Sequence, residues 1–123
     1  MKSNKVKDKI LVFCDHYLPG FRAGGPITTL SNMVSKLSSD FDYYIVTRDR
    51  DLLSKEPYKI KLDEWIIDSD SKRYYISENK FSIRLIKKLI QGLSPNVIYL
   101  NSIFSSSIIS IIIPSLTITK LLY

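Results

Sequence analysis

The order of apolar and polar residues along this chain predicts strands and helices in alternation. Residues 10–14, 43–47, 73–77 and 97–100 form short apolar runs rich in β-branched and aromatic side chains, as buried strands do. Residues 64–67 fit a short strand or turn that plugs the edge of the sheet. Because helical segments separate these runs, we expect an α/β fold with a doubly wound parallel sheet and residues 10–14 at its centre.

Two helices are predicted from apolar residues at helical spacing. Residues 26–37 and 79–93 each place their apolar side chains on one face and their polar side chains on the other. Residues 103–119 contain no charge, so a membrane span has to be weighed against a buried helix. Pro114 near the middle and several Ser and Thr residues favour a helix packed on the sheet.

The segment between the first strand and the first helix is a loop rich in glycine and proline. Gly20, Gly24 and Gly25 lie between Pro19 and Pro26. Glycine lets a backbone approach a ligand closely, and the N–H groups at a helix start favour an anion such as a phosphate. The alternative is a tight turn in which glycine serves geometry alone. Neither the dinucleotide fingerprint nor the G-K-[ST] phosphate loop is present, which disfavours NAD and ATP as ligands.

Polar residues follow three of the predicted strands. They are Asp15 and His16, residues 48–51, and Asn101 with Ser102. Because ligands of such sheets gather at the carboxyl ends of the strands, these three clusters define the predicted site. Arg22, Arg48 and Arg50 are candidates to bind a substrate carboxylate or phosphate, and loop solubility is the alternative for each. His16 could contact a sugar or phosphate, or face solvent.

Composition narrows the class of partner. The chain has 123 residues, enough for one domain, and its net charge of +6 predicts attraction to an anionic partner. A phosphorylated substrate or lipid headgroups fit better than nucleic acid, because no nucleic-acid motif or zinc spacing is present. The basic face of helix 79–93 is either a solvated face or a surface for anionic lipid. The apolar run after the basic N-terminus is too short for a signal peptide, and we expect a cytoplasmic protein.

The first third of the chain, residues 10–47, resembles the N-terminal half of family 4 glycosyltransferases of the GT-B fold. The resemblance rests on the segments Tyr17-Leu18-Pro19-Gly20 and Ala23-Gly24-Gly25-Pro26-Ile27. The resemblance continues through residues 46–52, 57–58, 64–65 and 96–102 and covers most of the chain. It implies that residues 1–123 are the acceptor-side, Rossmann-like domain of a truncated enzyme. The donor-binding domain is then absent, and the fragment alone is expected to be inactive.

The resemblance also implies a reaction. A sugar is transferred from a nucleotide-sugar donor to a glycan or lipid-linked acceptor, with retention of the configuration at the anomeric carbon. The reaction belongs to surface polysaccharide biosynthesis and uses no bound cation and no cofactor. Relatives often carry a histidine near the end of the fourth strand, where this chain has Asn101-Ser102, so the role of that histidine is not carried over. The catalytic residues stay unassigned, with His16 and Asn101 as candidates. The expected substrate-binding residues are Asp15, His16, Arg22, Gly24, Gly25, Arg48, Asn101 and Ser102.

Three alternatives remain at this point: a non-catalytic remnant, a GT-B sugar-nucleotide epimerase domain and a small nucleotide-binding module. The chain also contains two Asp-x-Asp triplets, at residues 49–51 and 68–70. In the other large glycosyltransferase fold, GT-A, such a triplet holds a divalent metal on the donor diphosphate. The positive charge of Arg50 disfavours a metal in the first triplet. We interpret both triplets as acidic turns.

Overall fold

The computed structural model describes residues 6–101 and 120–122, which form a six-stranded sheet with two α-helices. The predicted α/β class is confirmed. In chain order the elements are β1 (Asp8–Phe13), α1 (Gly25–Leu37), β2 (Phe41–Arg48), β3 (Trp65–Ile67), β4 (Lys72–Ile76), a 3₁₀ turn (Glu78–Lys80), α2 (Ile83–Leu93), β5 (Val97–Leu100) and β6 (Lys120–Leu122).

The strands lie in the order β3-β4-β2-β1-β5-β6. All neighbours are parallel except β3, which pairs antiparallel with β4. The expectation of a central first strand is confirmed, because β1 lies between β2 and β5. Numbered among themselves, the parallel strands have the order 3-2-1-4-5, which is that of a Rossmann-like sheet. Residues 65–67 form the predicted short strand at the edge.

Helix α1 covers one face of the sheet. Pro26 lies in its first turn, where a missing N–H costs nothing, and Ile27, Leu30 and Val34 recur at helical spacing and are buried. Leu30 and Val34 pack with side chains of the central strands β1 and β2, among them Val12 and Ile45. Since α1 joins these two strands, this layer forms the first βαβ unit.

Helix α2 covers the opposite face, where Ile86 and Ile90 pack against alternate residues of β1, β2, β4 and β5. The predicted start at residue 79 is wrong. Residues 78–80 form the 3₁₀ turn, Phe81 is extended, and the side chain of Ser82 accepts a hydrogen bond from the Leu85 N–H at 3.1 Å. A serine cap at this place fixes the true first turn of the helix.

Two sequence predictions concern the end of the chain. The helix expected at residues 103–119 lies outside the described residues, as does Ser102. Within the part of the chain that the structure describes, no helix is long and apolar enough to cross a membrane.

The packing of α2 yields a prediction about stability. Ile86 is 2% exposed in the core and Ile83, on the same helix, is 45% exposed. Ile86→Ala should lower the free energy of unfolding by about 2–5 kcal/mol, because it removes buried methyl groups and leaves a cavity. Ile83→Ala is the matched control and should change it by less than about 1 kcal/mol. Urea unfolding measures both values, and equal losses would contradict the assigned face of α2.

Candidate functional site

The candidate site lies where the direction of winding changes. From β1 the chain crosses through α1 to β2 on one side, whereas β5 pairs with the other side of β1. Ligands of open α/β sheets bind at such a switch point, outside the carboxyl ends of the strands. Asn101, directly after β5, is held beside β1 because its backbone N–H donates to the Phe13 carbonyl at 2.9 Å.

Asp15 and His16, the second and third residues after β1, contact the end of β2 and the loop that follows it. The Asp15 carboxylate lies 3.4 Å from Nε of Arg48, which ends β2. His16 Nδ1 lies 3.3 Å from the carbonyl oxygen of Arg50. Asp15, His16 and Arg48, predicted as site residues from two separate stretches of sequence, are therefore neighbours.

The Asp51 carboxylate joins the two loops through backbone hydrogen bonds. Its oxygens accept hydrogen bonds from the backbone N–H groups of Phe21 at 3.1 Å, Arg22 at 3.2 Å and Leu52 at 2.8 Å. Burial raises the pKa of this carboxyl, but the three backbone donors outweigh burial and hold its pKa below the ordinary value. Asp51 thus fixes the glycine-rich loop as an anionic anchor.

Tyrosine side chains hold the same loop against the sheet. The Tyr58 hydroxyl donates to the Tyr17 carbonyl at 3.3 Å, and the Tyr75 hydroxyl donates to the Leu18 carbonyl. The rings of Tyr58 and Tyr75 meet edge to face with centroids 5.7 Å apart. A Cβ at Gly20 would collide with the Tyr58 hydroxyl and lie 2.9 Å from Asp51 Oδ1. Gly20 is therefore required by packing.

Gly24 and Gly25 open α1 and differ from Gly20. Gly24 has φ 69° and ψ −122°, a conformation that residues with a Cβ rarely adopt, so the turn itself requires glycine there. Gly25 has an ordinary φ, and apart from adjacent residues and the helix's own backbone no atom of the described residues lies within 4 Å of a Cβ built at either position. No side chain caps the helix start and no acidic residue lies in its first turn. Among residues 6–101, none fills the space beside Gly24 and Gly25.

The cations of the site lie at its rim. Arg22 is exposed and its guanidinium donates to the Leu52 carbonyl at 3.4 Å. The side chain of Arg48 is 47% exposed beside Asp15. A cleft of about 310 Å³ runs between the two loops, lined among others by Gly20, Arg22, Asp51 and Tyr58. It is large enough for a sugar-sized ligand.

The two Asp-x-Asp triplets have structural partners. Asp49 is buried and binds Nε of Arg50 at 2.8 Å, and it also accepts the Glu78 N–H at 3.3 Å. Asp68 and Asp70 lie at the opposite edge of the sheet, 3.1 and 3.6 Å from the Arg73 guanidinium. Across residues 6–101 no three potential metal-ligating side chains of His, Cys, Asp or Glu cluster together. The carboxylates of the first triplet thus bind residues of neighbouring loops and of the 3₁₀ turn, and those of the second bind Arg73 of β4.

Sequence reasoning missed the packing role of Tyr17, Gly20, Tyr58 and Tyr75. Tyr17 is fully buried, and the Arg73 guanidinium lies 5.0 Å from the centre of its ring. The tyrosines come from separate parts of the chain with no common spacing, so periodicity could not group them. The only local signal was an abundance of tyrosine beside glycine and proline, which does not identify contacts.

Comparisons of this chain with protein-family models, with curated proteins and with solved structures found no match. The fold and the contacts at the carboxyl edge of the sheet are therefore the structural basis for a functional proposal. The most informative of these contacts are the anchors that Asp51 and Tyr58 provide for the glycine-rich loop.

The close packing at Gly20 can be tested by substitution. Gly20→Ala should lower the free energy of unfolding by about 1–3 kcal/mol, because Tyr58 and Asp51 must move to admit a Cβ. Gly92→Ala is the matched control, since α2 has open space there, and it should raise stability by up to about 1 kcal/mol. Urea unfolding monitored by circular dichroism measures both. A neutral Gly20→Ala would show that the two loops are not packed together.

The anchor at Asp51 predicts a pH dependence. Because its pKa is lowered on folding, Asp51 contributes stability that is present above its unfolded pKa of about 3.9 and is lost as pH falls through the folded value. Asp51→Asn should therefore be less stable than the parent near neutral pH, and the difference should shrink below about pH 4. Urea unfolding across this pH range measures it. A difference that stays constant with pH would refute an ionised anchor.

Proposed function

We propose that this chain is the acceptor-side Rossmann-like domain of a GT-B glycosyltransferase. In this proposal the enzyme transfers a sugar, with retention, from a nucleotide-sugar donor to a glycan or lipid-linked acceptor of surface polysaccharide biosynthesis. The chain works on the cytoplasmic side of a membrane together with a donor-binding domain, and the reaction uses no bound cation.

The observation that carries the proposal is the arrangement at the switch point. Strands β2, β1 and β5 end at one edge of a Rossmann-like sheet, and Asp15, Arg48 and Asn101, which belong to segments that carry the resemblance, lie at that edge. Their meeting at a crevice supports a shared site.

The chemistry of the rim supports a substrate that is both anionic and hydroxyl-rich. The exposed guanidinium of Arg22 and that of Arg48 offer planar donors suited to a phosphate or carboxylate. Asp15, His16 and Asn101 offer acceptors and donors for sugar hydroxyl groups. The cleft between the two loops, which Arg22 lines, gives an acceptor sugar a place beside one of these guanidinium groups.

The glycine-rich loop is assigned to the donor phosphates. Gly25 needs no positive φ and meets no neighbour among the described residues, so the fold does not explain a glycine there. A phosphate approaching the backbone would explain it, since a Cβ would fill the space. The uncapped start of α1 adds a partial positive charge that favours an anion, worth about 0.3–1 kcal/mol when exposed.

This assignment predicts the effect of a bulky residue at the helix start. In the longest natural gene product that contains this chain, Gly25→Val should lower kcat/KM for sugar transfer at least about tenfold, or ~1.4 kcal/mol, because a branched side chain blocks the phosphates. The measurement is transfer of labelled sugar from a panel of nucleotide sugars to extracted lipid and polysaccharide. Thermal stability should change little, since a Cβ at Gly25 meets open space.

Ser35→Val is the matched control, because Ser35 is an exposed residue of α1 in the half of the helix away from the site. It places the same branched side chain on the same helix and should leave transfer unchanged. If Gly25→Val melts and reacts like the parent, the phosphate role of the loop has to be given up. If no nucleotide sugar supports transfer by the parent, the proposed function itself fails.

A further inference from the structure

Three large apolar side chains are exposed at the tips of the two loops that form the site. Phe21 is 75% exposed, Leu52 37% and Leu53 86%. Their backbones lie side by side, because Asp51 accepts the N–H groups of both Phe21 and Leu52. We call these three residues the loop-tip patch.

Leu53 is held in an unfavourable backbone conformation. Its φ is 63°, within a turn closed by the Ser54 N–H and the Asp51 carbonyl at 3.1 Å. Glycine or asparagine is the usual residue at such a position, and a leucine there is strained. The Leu53 side chain is also largely exposed, so its burial contributes little stability among the described residues to offset the strain. Strain that folding does not explain points to a role in binding.

The size and shape of the patch determine what can occupy it. Three side chains at loop tips offer at most a few hundred Å², whereas a stable protein interface needs ~800 Å² from each partner. Attachment to a bilayer surface needs only a few inserted apolar side chains helped by attraction to anionic lipid. The chain has a net charge of +6, and the exposed Arg22 directly follows Phe21, which favours an anionic surface at this place.

We propose that the loop-tip patch inserts into the surface of an anionic lipid bilayer. Phe21 and Leu53 enter the boundary between headgroups and acyl chains, and the anchor at Asp51 holds the two loops together as they do so. Attachment needs no sugar transfer. If the patch inserts, Arg22 and the cleft face the membrane. That this orientation brings them to a lipid-linked acceptor rests on the proposed function.

Vesicle sedimentation of the full chain tests this inference. The probe is vesicles of phosphatidylcholine and phosphatidylglycerol in equal parts, compared with phosphatidylcholine alone. The parent should sediment with the anionic vesicles and much less with the neutral ones. Leu53→Asn and Phe21→Ser should each lower the partition coefficient at least about fivefold, since each removes an inserted apolar side chain.

The choice of variants separates binding from folding. Asparagine tolerates the positive φ at position 53, so Leu53→Asn should be at least as stable as the parent while it binds less. Ile67→Ser is the matched control: Ile67 is 78% exposed, close to the exposure of Phe21, but pairs with Lys72 at the opposite edge of the sheet. Its removal should leave vesicle binding unchanged.

Several outcomes would overturn the inference. One is a parent that does not sediment with anionic vesicles, and another is equal binding by the parent, Leu53→Asn and Phe21→Ser. Full binding by Leu53→Asn, with loss of binding when Lys80, Arg84, Lys87 and Lys88 are changed to Gln, would assign attachment to the basic face of α2. A dimer in sedimentation equilibrium that Leu53→Asn dissociates would assign the patch to a second copy. None of these results depends on whether the enzyme transfers a sugar.

Discussion

The carboxylate of Asp51 is the contact on which the carboxyl edge of this protein depends. The sheet fixes where β1 and β2 end, but pairing between strands does not position the loops that follow them. Asp51 does so by accepting backbone N–H groups from Phe21 and Arg22 across about thirty residues of chain. These bonds hold the glycine-rich loop beside the loop after β2, and the tight packing of Gly20 against Tyr58 follows from this placement.

The sequence predicted the layers of this fold better than its edges. Buried strands and helix faces are repetitive, so the apolar runs located β1, β2, β4 and β5, and helical spacing located the buried side of α1. The start of α2 was misjudged because Lys80 and Phe81 fit the polar and apolar faces of the helix without being part of it. Ser82 caps the helix only after them. The spacing of apolar side chains indicates which face of a helix is buried. It does not indicate where the helix begins, because that depends on the backbone conformation and hydrogen bond of the capping residue.

The candidate site was predictable by position and not by contact. Rules for parallel sheets place Asp15, Arg48 and Asn101 at one edge, and there they lie. The roles within the site depend on distances between loops, which no spacing in the sequence encodes. The three loop glycines illustrate this: Gly20 is required by packing and Gly24 by its positive φ. Gly25 is required by neither among the described residues, and only this difference makes it a candidate for ligand binding.

The two acidic triplets show why a short motif carries so little information by itself. Asp49 and Asp51 join the loop after β2 to its neighbours, whereas Asp68 and Asp70 hold Arg73 at the far edge of the sheet. The pattern is the same, and the partners decide what each carboxylate does.

The loop-tip patch and the glycine-rich loop cannot be positioned independently. Phe21 belongs to the loop that leads into Gly24, and Leu52 directly follows Asp51, so one carboxylate bonds to both segments. Any contact that displaced Phe21 or Leu53 would therefore be transmitted through these short hydrogen bonds to the start of α1. A core residue such as Val34 would be insulated from the same displacement, because α1 is held along its length by burial against β1 and β2. The edge of the sheet thus combines a base packed in the core with two loops that one carboxylate joins.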